Sequence, residues 1–134
     1  MELNEKFELV KKARENAYAP YSHFLVGALV ILKNGKYYTG CNVENASYGL
    51  CNCAERTALF KAYSDGVRKE DIAELVIIGD SPRPVSPCGA CRQVMSELME
   101  ENATVTLFNL QKETITLTVK ELLPYAFNEG DLNE

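Results

Sequence analysis

The chain has 134 residues, enough for one domain. Its apolar fraction of 46% with 25% charged residues excludes intrinsic disorder and fits a globular protein. A net charge of −5 opposes broad capture of nucleic acid or anionic membrane. No apolar run exceeds residues 24–32, too short to span a bilayer, and the charged residues 1–12 carry no export signal, so a cytoplasmic protein is expected.

In chain order, Leu3, Phe7, Val10, Ala13, Arg14 and Ala17 share one face at helical spacing, which predicts a helix over 3–18 closed by Pro20. Residues 24–33 read as a largely buried strand. Asn34-Gly35 is the dipeptide of a two-residue type I′ hairpin, with 36–43 as the returning strand. A helix follows over 53–64, with Ala54, Ala58, Leu59 and Ala62 on one side and a stop at Ser64-Asp65-Gly66. Residues 73–79 form a short buried strand. Pro82, Pro84 and Pro87 make 81–87 a rigid loop without regular structure. A helix over 88–100, strands over 103–108 and 114–119, and a last helix over 119–123 complete the order. Neither a repeat nor a linker interrupts it, so residues 1–134 are expected to form a single domain of α/β class. The order argues a mixed five-stranded sheet with helices on both faces and a parallel pair in its middle.

Five cysteines stand against one histidine. An odd count without an export signal makes disulfides the weaker reading and metal or catalytic thiols the stronger one. Cys53 opens one predicted helix; Cys88 and Cys91 open another as a C-x-x-C pair, a spacing that alone serves metal and redox chemistry equally. A helix N-terminus favours thiolate over thiol, so two such termini aimed at one point would suit metal-bound sulfur. Three protein ligands leave the fourth position of a zinc ion open to water, as catalytic sites do. Glu55 lies in the first turn after Cys53, placed to act as a general acid and base beside that open position. Three thiolates would leave the site with a net charge of about −1. Arg56, three positions after Cys53, lies on the face from which a guanidinium could offset that charge.

Cys53-Ala54-Glu55 and Pro87-Cys88-Gly89-Ala90-Cys91 match the signature of zinc nucleobase deaminases in its three-cysteine variant. The match extends to Ala17-Tyr18-Ala19-Pro20-Tyr21-Ser22, Phe24, Val26-Gly27-Ala28, the stretches 40–46 and 51–58, residues 86–93, and Glu121-Leu122-Leu123-Pro124 with Ala126-Phe127. Over nearly its whole length the chain resembles the small homotetrameric cytidine deaminases. That resemblance implies a three-layer α/β/α fold, one zinc ion per subunit held by Cys53, Cys88 and Cys91, and Glu55 as proton shuttle. It further implies that Asn42 and Glu44 hold the ribose hydroxyls, that Phe24 walls the pyrimidine, and that Phe127 reaches into a neighbouring subunit's site. Ala54 would offer its N–H to the 2-oxo group and the Ser86 carbonyl would face the leaving amine. Tyr48 matches a position near the subunit interface and the sugar. The implied reaction is hydrolytic deamination of cytidine and deoxycytidine.

Plainer roles stand beside these. Cys41 and Cys51 read as buried inert thiols and His23 as a loop residue. Phe24 could serve the core, Phe127 could cap it, and Asn42 and Glu44 could be ordinary turn residues. Rival functions are deamination of a nucleoside antibiotic, a polynucleotide deaminase, for which no basic channel is evident, and a non-enzymatic zinc-stabilised binding domain, for which a fourth protein ligand is hard to find.

Overall fold

The computed structural model describes residues 1–126; Phe127 lies outside the described residues. Five strands form one mixed sheet in the order β2-β1-β3-β4-β5. Strand β1 (Val26–Leu32) pairs antiparallel with both β2 (Tyr37–Cys41) and β3 (Ile72–Gly79). Strand β3 runs parallel to β4 (Thr104–Phe108), and β5 (Thr114–Thr118) closes the far edge antiparallel.

Alternation of side chains across the sheet builds two cores. On one face Leu29, Ile31, Val76, Ile78 and Phe108 pack under Phe7 and Val10 of helix α1 (Leu3–Arg14). On the other, Ala28, Val30, Leu75, Ile77, Val105 and Leu107 meet α2 (Ala54–Ser64) and α3 (Gly89–Leu98). The short α4 (Val119–Leu122), capped reciprocally by Thr118 and Glu121, adds Val119 and Leu122 to the same core. The expected three-layer α/β/α arrangement is therefore present, with β3 and β4 as its parallel pair.

Local details differ from the expectation at two places. Helix α1 stops at Arg14, not at residue 18. The cause is tertiary: Tyr18 donates its N–H to the Asn42 carbonyl at 2.9 Å and accepts from the Glu44 N–H at 2.8 Å, an extended bridge that helical geometry forbids. The β1–β2 turn is also not of type I′, which needs positive φ at two residues. Only Gly35 has it (φ 92°), the Gly35 N–H bonds to the Leu32 carbonyl at 3.0 Å, and the Leu32 N–H bonds to the Lys36 carbonyl at 2.8 Å. That pattern is a three-residue loop, a type I turn completed by a left-handed glycine.

Two close approaches set where the helices sit. Gly27 lets α1 touch β1, and Gly40 lets α2 touch β2; a Cβ at Gly40 would fall 2.6 Å from the Ala58 nitrogen and 2.8 Å from the Ala54 carbonyl oxygen. Ala54, Ala58 and Ala62 form the small-residue face that permits this contact, and all three are fully buried.

Candidate active site

Helices α2 and α3 both begin on a cysteine. Cys53 is the N-cap of α2 and Cys88 the N-cap of α3, each in extended backbone. The Cys91 N–H, in the first turn of α3, donates to Cys88 Sγ at 3.5 Å. All three sulfur atoms lie within 4.8 Å of one another. Thiolates around one tetrahedral zinc at ~2.3 Å stand about 3.8 Å apart, so this cluster fits a single ion with small adjustment. Cys91 is fully buried, Cys53 half-buried and Cys88 exposed, which leaves one side of the cluster accessible.

The protonation of the trio points the same way. The Cys53 thiol is pulled down to about 5, first by the hydrogen bond from Cys91, against burial, and with help from the Arg56 guanidinium. Cys91 is pushed well up, chiefly because it donates its proton to Cys53 and also because it is buried. Left to themselves the thiols share protons, and a divalent cation is what allows all three to ionise together. Arg56 donates from Nη2 to Cys53 Sγ at 3.3 Å, the contact expected from its helical position.

Glu55 is a buried carboxyl, only 5% exposed. Burial pushes its pKa up, its own backbone N–H opposes that shift, and the charge of Cys53 adds to it. A raised pKa makes this carboxylate a stronger base than a surface glutamate. Ala54, the first residue of α2, is buried, and its N–H belongs to the turn that has no intrahelical acceptor.

Three loops are sewn beside α2 by backbone bridges. Tyr18 pairs with Val43, and Val43 pairs with Asn52, the residue before Cys53. This places Asn42 and Glu44 in the same layer as the start of the metal helix. Asn42 is committed locally: its Oδ1 accepts from the Val26 N–H and its Nδ2 donates to the Phe24 carbonyl, both at 2.9 Å. The Glu44 carboxylate accepts from the N–H groups of Tyr21 and Ser22 at 3.1 Å each and from the Ser22 hydroxyl. Phe24 is 37% exposed and outside both cores. Its ring tip lies over Gly79 at the end of β3, where a Cβ would fall 2.9 Å from Phe24 Cζ and 3.1 Å from Val85 Cγ2.

Ser86 and Cys88 sit on the proline-rich loop, which one arginine holds. Arg92 donates Nε to the Pro87 carbonyl at 3.0 Å, Nη2 to Ser86 Oγ at 2.7 Å and Nη1 to the Leu122 carbonyl at 3.0 Å. Arg92 follows Cys91 directly, and a guanidinium next to a metal-site cysteine is the one signal of this role in the sequence. Asn109, fully buried, braces the same loop through the Pro82 carbonyl at 3.4 Å. Tyr48 is 79% exposed on a short 3₁₀ turn. Cys41 and Cys51 lie outside the thiol trio and are half-buried instead of buried, and His23 is exposed in its loop at φ 59°.

A three-layer α/β sheet whose two helix starts deliver three converging thiols and a buried carboxylate defines a metal-centred hydrolytic site. The family model for the cytidine and deoxycytidylate deaminase zinc-binding region matches residues 1–107, a span that contains Cys53, Glu55, Cys88 and Cys91. Cytidine deaminase of Halalkalibacterium halodurans is 56% identical over 92% of this chain and 92% of its own length. The enzyme of the same name from Sporosarcina psychrophila is 52% identical over 92% of this chain and 89% of its own. Among solved structures, cytidine deaminase from Burkholderia pseudomallei superposes with a TM-score of 0.93 at 51% identity, covering 95% of this chain and 100% of that one. The chain belongs to the cytidine and deoxycytidylate deaminase family, and its Cys53, Cys88 and Cys91 form a cluster able to hold the zinc.

Proposed function

We propose that the protein, as one catalytic unit of residues 1–134, hydrolyses cytidine and deoxycytidine to uridine and deoxyuridine with release of ammonia, a step of pyrimidine salvage in the cytoplasm. The observation that carries this reading is the buried Glu55 carboxyl in the first turn of α2, two residues after Cys53 of the Cys53, Cys88 and Cys91 cluster. Bound zinc supplies the Lewis acidity that lets water give up a proton near neutral pH. Glu55 takes that proton and delivers it to N3 of the pyrimidine while oxygen bonds to C4. It then helps move the remaining hydroxyl proton to the amine, so that the C4–N bond breaks and ammonia leaves. The Ala54 N–H holds the 2-oxo group, and the Ser86 carbonyl, on the loop held by Arg92, faces the departing amine. Phe24 walls the base, and Asn42 and Glu44 receive the sugar.

Arg56 tunes the site by spreading charge away from Cys53. Arg56→Ala, loaded with zinc, is expected to lose about tenfold or more in kcat, the usual range for a partner of a metal ligand. An unchanged rate at full zinc content would remove this role.

The working form in this reading is a homotetramer with sites shared between subunits, to which Phe127 and Tyr48 contribute. Exposed Tyr48, Leu50, Val43 and Phe60 supply apolar surface for such contacts. Among the described residues no helix is long and apolar enough to cross a membrane. The test is loss of cytidine absorbance with and without a chelator, on protein whose size is measured by sedimentation. Turnover abolished by the chelator and restored by zinc, on a particle of four chains of 15.0 kDa, is expected. A zinc-replete protein without deaminase activity would overturn the function, and a fully active monomer would overturn the shared sites.

A further inference from the structure

We propose that Ser22 is a positioning residue for sugar recognition: its hydroxyl joins the Glu44 carboxylate to the loop that presents Phe24. This rests on the reading above, in which Glu44 receives a sugar hydroxyl. Ser22 Oγ donates to Glu44 Oε2 and itself accepts from the Phe24 N–H at 3.1 Å. Glu44 Oε1 is filled by the N–H groups of Tyr21 and Ser22. A carboxylate offers about four acceptor positions. Three are taken by the loop, and the one left over is on Oε2, the oxygen whose orientation Ser22 sets. The Ser22 hydroxyl and its backbone N–H also hold the Glu44 carboxyl below its ordinary pKa, so it stays an acceptor.

The loop does not depend on this hydroxyl for its path. The Tyr18 N–H bonds to the Asn42 carbonyl, the His23 N–H bonds to the Ala19 carbonyl at 3.0 Å, and Asn42 spans Phe24 and Val26 with its side chain. Removing one oxygen therefore leaves the fold and the thiol cluster in place; it releases the Phe24 N–H and the acceptor position on Glu44 Oε2 that the hydroxyl held. Substrate must then order that carboxylate itself.

The experiment compares Ser22→Ala, Ser22→Thr and Glu44→Ala on cytidine and on 2′,3′-dideoxycytidine, which lacks both hydroxyls of the vicinal diol. For Ser22→Ala, kcat/KM on cytidine is expected to fall about tenfold, mostly through KM, as for a lost hydrogen bond to a charged group, with less than about a twofold change on the dideoxynucleoside. Ser22→Thr, which keeps the hydroxyl, is expected to restore cytidine turnover. Equal losses on both substrates, or none on cytidine, would overturn the role of Ser22 while leaving that of Glu44 intact. If Glu44→Ala harms the two substrates equally, the sugar-binding reading of Glu44 fails, and the proposal with it.

Discussion

Glu55→Gln is expected to retain its zinc and lose deamination by a factor of about 10²–10⁴, the range typical of a removed general acid and base. Glutamine keeps the length and shape of the side chain, so the packing around a residue only 5% exposed is preserved. What disappears is the ability to accept a proton and return it. The amide fills the same space, but its carbonyl oxygen is too weak a base to deprotonate water. Metal analysis and the absorbance assay separate the outcomes: full zinc with residual turnover near background is expected. Full zinc with more than a tenth of the original rate would assign the proton transfer to another group. Thermal stability should hold or rise, because burial disfavours the charged carboxylate that the amide replaces.

Gly40→Ala is expected to damage the same site from a distance. The new methyl group would stand 2.6 Å from the Ala58 nitrogen and 2.8 Å from the Ala54 carbonyl oxygen, both backbone atoms that cannot rotate away. Helix α2 must shift from the sheet, and Cys53 and Glu55 travel with it. Overpacking of this kind costs about 1–3 kcal/mol and sometimes more, and with rigid backbone on both sides the upper end is expected. Urea unfolding should show that loss, and zinc retention during dialysis should fall in parallel. Gly35→Ala is the control. Gly35 has nothing within 4 Å of a Cβ, so only its φ of 92° resists substitution and the penalty is about 1 kcal/mol, with zinc retention unchanged. Equal zinc loss in both variants would show that the α2 contact does not locate the metal site.

The placement of Cys53, Glu55, Cys88 and Cys91 at two helix starts was legible in the sequence because each is written in a short local pattern. Cys53-Ala54-Glu55 and Cys88-Gly89-Ala90-Cys91 lie at helix starts, where spacing of two or three residues converts directly into a shared face. The sheet was legible for a similar reason: runs such as 73–79, found within β3, carry their own burial signal. The Ser22–Glu44 contact joins residues 22 positions apart, and Arg92 reaches Leu122 across 30. No period or motif encodes such pairs, because their partners are set by how loops pass one another. The early end of α1 has the same origin: residues 15–18 carry ordinary helical composition, and the pairing of Tyr18 with Val43 overrides it. At the hairpin, Asn34-Gly35 marked the turn correctly but left its length open between two residues and three.

Cys53 and Cys88 stand at the starts of two helices with the whole of β3 running between them. An ion bound to both ends of that segment closes a loop of about 35 residues, and such a closure removes freedom from the unfolded chain far more than from the folded one. Binding to the native arrangement alone also stabilises it in proportion to the logarithm of free ligand over its dissociation constant. The melting temperature is then not a fixed attribute of this polypeptide. It is a function of the free zinc in its surroundings, and a cell that withholds the ion shortens the lifetime of the protein as well as its activity.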